Sequence, residues 1–109
     1  MTRAFVAAAV VFALLPSALT AAENCPSDMA DAHARIAAIQ ARDPKIDALM
    51  KKKNVKAVCA ILRTNIVDMT AARDAMARCL PDGFEKNEDV TNLNANLADL
   101  SDAVAAHCR

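Results

Sequence analysis

From Val58 to Cys79 the chain repeats one pattern without a break. Val58, Leu62, Asn65, Met69, Ala72, Met76 and Cys79 stand three or four residues apart, the spacing of one buried helix face. Cys59 and Ile66 widen the stripe to one side. The helix this predicts runs from about Val55 to Leu80. Asn54 is suited to cap its start. Pro81-Asp82-Gly83 ends it, with glycine supplying a left-handed turn conformation.

The stripe constrains the rest of the chain through its cysteines. Cys59 and Cys79 lie twenty residues apart on one helix, or about 30 Å along its axis. A disulfide needs Cα atoms within roughly 7 Å, so these two cannot pair while the helix is intact. Both flanking segments are also helical in pattern. Pro26 fits a first helical position, and Ser27, Asp28 and Asp31 suit the positive end of a helix dipole. Met29, Ala32, Ile36 and Ile39 follow on one face. Asp43-Pro44 interrupts them, and Ile46 and Met50 resume the same phase. The segment is therefore either one arm kinked at Pro44 or two helices sharing a face, the second capped by Asp43. Lys51, Lys52 and Lys53 sit at its C-terminal end, where cations are favoured. The last stripe is Val90, Leu93, Leu97, Leu100 and Val104, with Cys108 one turn on. Asn87, Glu88 and Asp89 provide its N-terminal signal.

Helices joined by short turns pack antiparallel, and residues that face each other share a midpoint at the turn. The midpoint of Cys59 and Cys108 is 83.5, inside the Pro81–Glu85 turn, and that of Cys25 and Cys79 is 52, inside the lysine turn. The rival pairing, Cys25–Cys59 with Cys79–Cys108, has midpoints of 42 and 93.5, and the second falls within the last helix. The expectation is an all-α chain: a small antiparallel three-helix bundle, its first arm kinked at Pro44, held by Cys25–Cys79 and Cys59–Cys108. The spacing C-x33-C-x19-C-x28-C by itself supports no family assignment.

Four cysteines in a short chain read as two disulfides when the compartment is oxidising, and the N-terminus carries an export signal. Arg3 precedes the apolar run Ala4–Leu15. Pro16 and Ser17 break that run, and the small residues Ala18, Thr20, Ala21 and Ala22 follow. This is the layout of a secretory signal peptide. Residues 1–22 are expected to be cleaved after Ala22, leaving residues 23–109 as a single helical domain of 87 residues. Glu23 and Asn24 stand where lipidation at Cys25 would need small residues. The alternative is an uncleaved anchor. Ala4–Ala22 just reaches the roughly 18 residues a span requires, but Pro16, Ser17 and Thr20 weaken its second half. Periplasmic or secreted localisation is expected, with no stable membrane span after cleavage.

Composition removes several function classes. Without Arg3 the chain has 12 basic and 13 acidic residues, so it has no general attraction for nucleic acid. Two of the three phenylalanines, Phe5 and Phe12, lie in the expected signal peptide, so Phe84 is the one aromatic residue left after cleavage, too few for base or sugar stacking. There is no C-x-x-C, Gly-rich phosphate loop, H-E-x-x-H or G-x-S-x-G. No catalytic residue, cofactor or resident metal is assigned. His107 beside Cys108 could assist a thiol, although a helix C-terminus also suits a surface histidine. His33 reads as a boundary residue. Met29 and Met76 share the register of Cys25 and Cys79 and are weak candidates for soft copper(I). Methionine also simply fills irregular core space.

Charge distribution gives the remaining lead. Arg42–Arg63 holds seven basic and two acidic residues, and Pro81–Cys108 holds six acidic and one basic. In the antiparallel bundle the lysine turn lies at one end and the Asp82–Asp89 turn at the other. Lys51, Lys52, Lys53 and Lys56 could meet an anionic partner, a protein or another envelope component, or could form a solvated turn. The functional expectation is a non-enzymatic envelope or secreted interaction protein. The alternative is a periplasmic copper-binding or chaperone-like protein.

Overall fold

A computed structural model describes residues 24–108, so the signal peptide expected over residues 1–22 lies outside the described residues. Three helices follow one another: α1 (Cys25–Lys51), α2 (Val55–Cys79) and α3 (Phe84–His107). The all-α, antiparallel three-helix architecture read from the periodicity is present. α2 is its spine and packs against both α1 and α3.

α1 starts with Pro26 in its first turn and Asp28 near the dipole's positive end. It continues unbroken through Pro44. Asp43 therefore does not begin a second helix, and the single-arm alternative holds. Pro44 cannot donate to the Gln40 carbonyl. Both residues are exposed, so water can reach the acceptor and the helix survives.

The α1–α2 interface is built from small side chains. Ala32, Ala72 and Ala75 form its buried centre, and Ile36 packs against them. Alanines let two helices approach closely but bury little apolar area each, so this core contributes modestly. Further along α2, Met69, Met76 and Cys59 are buried, as is Leu97 of α3.

The disulfides are Cys25–Cys79 and Cys59–Cys108, with Cα separations of 5.4 Å and 5.6 Å. The first ties the start of α1 to the end of α2. The second ties the start of α2 to the residue that ends α3. The bridges close loops of 54 and 49 residues. On a chain-entropy basis each is worth about 4 kcal/mol, and the overlapping loops make the two less than additive.

A polar cluster fixes the same register. Asp68 of α2 is 9 % exposed. It accepts one hydrogen bond on each carboxylate oxygen, from Arg35 at 2.8 Å and from Arg42 at 2.6 Å. Arg42 also donates to buried Asn65 at 2.9 Å, and Arg35 reaches Asp31 at 2.7 Å. Arg78 pairs with Asp28 at 3.2 Å beside the Cys25–Cys79 bridge.

α3 differs from expectation at its start. It begins at Phe84, with Gly83 at the N-cap position, not at Asn87–Asp89. Gly83 has φ 151°, a conformation open essentially to glycine alone. It turns the chain so sharply after Pro81 that the helix can form at once. Most of the α3 stripe is only half-buried, with Leu97 its one buried member, because α3 has α2 as its main packing partner.

Candidate functional site

The most distinctive surface is the end where α1 stops and α2 begins. The connection is tight. The Lys53 amide donates to Met50 O at 2.9 Å and the Asn54 amide to Leu49 O at 3.0 Å, the two bonds of a Schellman motif. Lys53 takes the left-handed position, with φ 59°. Glycine is the usual occupant there. Asn54 completes the motif and also caps α2, its side-chain oxygen accepting from the Ala57 amide at 3.2 Å.

This turn presents Lys51, Lys52, Lys53 and Lys56 together, and all four are exposed. Among the described residues none of them forms an ion pair. The sequence grouped these four, and the structure brings them to one end.

What the sequence did not reveal is the apolar cleft beside them. It has a volume of about 680 Å³. Ile46 and Met50 of α1, Val55, Val58 and Leu62 of α2, and Ala103 of α3 line it, with Lys53 at its edge. The helical pattern placed Met50 on a buried face, yet it is 62 % exposed, and Val55 is 56 % exposed. The last turn of α1 carries its apolar face past the packed interface, so the stripe continues without a partner.

A second hollow of about 450 Å³ adjoins the first and is lined by Lys56, Arg63 and His107. Val55, Cys59, His107 and Cys108 border both spaces. The Cys59–Cys108 bridge holds this wall in place. Arg63 Nη2 donates to the Cys108 carbonyl at 2.8 Å, which ties its guanidinium to the end of α3. Arg63 gave no sequence signal beyond its charge.

The remaining candidates lie elsewhere or are occupied. All four cysteines are bridged, so His107 has no thiol neighbour to activate in the oxidised chain. His107 is exposed at the rim of the hollow, and His33 is exposed on α1. Met76 is buried and Met29 half-buried, on the α2 and α1 ends joined by Cys25–Cys79. Among the described residues no three His, Cys, Asp or Glu side chains are grouped to hold a metal ion.

Two groups carry perturbed acidities. The Arg35 guanidinium is raised, chiefly by its hydrogen bond to Asp31, with Asp68 adding to the effect. The Asp82 carboxyl is held below its ordinary range by the hydrogen bond and charge of Lys86. Neither borders the cleft. No buried side-chain polar atom among the described residues lacks a partner, so the Asp68 cluster is fully used in holding α1 to α2.

Comparison with family models, with curated proteins and with solved structures finds no match to this chain. No helix among the described residues is long and apolar enough to cross a membrane.

Proposed function

We propose that this chain is a small exported interaction protein, non-enzymatic, that binds an anionic component of the periplasm or cell exterior through its lysine-bearing end. The observation that carries this reading is the group of four exposed lysines, without an ion pair among the described residues, beside an open apolar cleft. A lysine turn whose sole task is to complement a helix end needs no apolar recess beside it. Two disulfides support an oxidising compartment, in agreement with the export signal of residues 1–22. Among the described residues no carboxylate lines the apolar cleft, and all four cysteines are bridged. These features favour binding over catalysis.

Binding to inorganic polyphosphate and to phosphatidylglycerol vesicles, each against neutral controls, tests the reading. The protein should bind at least one anionic probe, and added salt should weaken that binding as it screens exposed charge. Changing Lys51, Lys52, Lys53 and Lys56 to Gln should abolish it. Equal binding by the wild-type and Gln proteins would remove the basis of the proposal.

A further inference from the structure

The cleft and its neighbouring hollow differ in chemistry and share a wall. The larger space is lined by alkyl side chains, among them Met50, Val58 and Leu62. The smaller has two cations in its lining, Lys56 and Arg63, with His107 and the shared Val55 and Cys59–Cys108 wall. Among the described residues no carboxylate lines either space.

We propose that the pair forms one binding site for a free single-chain anionic amphiphile, an alkyl carboxylate or alkyl phosphate monoester. The alkyl chain lies in the cleft against Met50, Val58 and Leu62. The head sits over the shared wall, within reach of Lys53, Lys56 and Arg63. The inference rests on the anionic-partner reading above and narrows it to a ligand class.

Three observations favour this occupant. The cleft volume of about 680 Å³ falls within the roughly 300–1,000 Å³ of small-molecule sites. Met50 and Val55 leave apolar surface in water at its mouth, 62 % and 56 % exposed, and an alkyl chain would cover it. Alkyl side chains predominate in the larger space, with Lys53 and His107 also in its lining, and Lys56 and Arg63 line the smaller one, so the two adjoining spaces offer an apolar part and a cationic part as the ligand requires. A polyanion would use the lysines and leave the recess empty. A membrane surface is met by protruding apolar side chains and not by a concave slot.

The test uses the oxidised protein purified after export of the full chain. Calorimetry below the micelle threshold compares octanoate, decanoate and dodecanoate, with dodecyl maltoside as the neutral-headed control. One-to-one binding is expected, tightening up to roughly fourfold for each added methylene that is buried. The neutral detergent should bind more weakly. Met50→Glu, a change at an exposed position that should leave the helical circular dichroism intact, should weaken dodecanoate roughly tenfold or more. Lys53→Gln with Lys56→Gln should weaken it by about tenfold.

Affinity independent of chain length, or unchanged in Met50→Glu, overturns the proposal. Lysine-dependent binding of polyphosphate or phosphatidylglycerol vesicles with no binding of dodecanoate overturns the amphiphile and leaves the anionic-partner reading standing. Absence of binding to every probe overturns both.

Discussion

Lys53 illustrates how a single residue can be locally unfavourable and still informative. Its φ of 59° sets its Cβ against the backbone, at a cost of about 1 kcal/mol relative to glycine. Lys53→Gly should therefore stabilise the fold by about that amount, read as a higher denaturation midpoint, while weakening any anion binding at this end. Gly83 is the opposite case. A Cβ there meets nothing within 4 Å, so its requirement is purely one of backbone conformation at φ 151°. Gly83→Ala should cost roughly 1–3 kcal/mol, seen in urea denaturation. At Asp68, replacement by Ala leaves Arg35 and Arg42 facing each other without their shared carboxylate. Their side chains remain 34 % and 28 % exposed, so water recovers part of the loss. About 2 kcal/mol is expected, less than for a fully buried pair. The need for glycine at position 83 was legible in the Pro81-Asp82-Gly83 turn signal, whereas the roles of Lys53 and Asp68 were not visible in composition or periodicity. Asp68 falls beside the apolar stripe and reads as a solvated charge until the register is known. Once Cys25 is set against Cys79, Arg35 and Arg42, one heptad apart on α1, come opposite Asp68 and Asn65.

Among the elements, α2 was the most legible because its stripe is long, unbroken and buried by a partner on each side. Its observed span, Val55–Cys79, stops one residue short of the expectation. α1 and α3 were less legible for a physical reason. Each is covered mainly by α2, so periodicity identified the apolar face but not how much of it is buried. Met50 shows the limit, since its phase is right and its burial is absent. The start of α3 was misplaced because Gly83, not an acidic cap, sets it. The disulfides were legible because a helix is rigid enough to forbid Cys59–Cys79 and two turns located the remaining midpoints. With so thin an alanine core, each bridge should weigh heavily. Replacing Cys25 and Cys79 together by Ser should lower the melting temperature by roughly 10–25 °C. By contrast, changing Lys51, Lys52 and Lys53 to Gln should leave it nearly unchanged, since charges at an exposed helix end are worth less than about 1 kcal/mol. That contrast in thermal scans separates the residues that hold the fold from those available for binding.

At the scale of the molecule, charge and apolar surface are arranged along the bundle. The α1–α2 turn gathers exposed lysines, while the α2–α3 turn carries Asp82 and the first turns of α3 carry Glu85, Glu88 and Asp89. Lys86 pairs with Asp82 at 2.8 Å and keeps its carboxylate ionised to lower pH than usual. A carboxyl depressed in the folded state contributes stability above its unfolded value, near pH 4, and that contribution disappears as pH falls through the lower folded value. The pair is exposed, so Asp82→Asn should alter acid unfolding only slightly. The lysine-bearing end depends instead on the Cys59–Cys108 bridge, which holds the end of α3 against α2 and forms part of the wall between cleft and hollow. The cleft was not legible in the sequence because it is a space left between helix ends, and no stripe or motif encodes such a gap. Fold, compartment and site all rest on the same covalent pattern. Non-reducing peptide mapping of the exported protein, with N-terminal sequencing of the same material, tests it most directly. Peptides joining Cys25 to Cys79 and Cys59 to Cys108, and an N-terminus at Glu23, are expected. A peptide joining Cys25 to Cys59, or four free thiols, would contradict it.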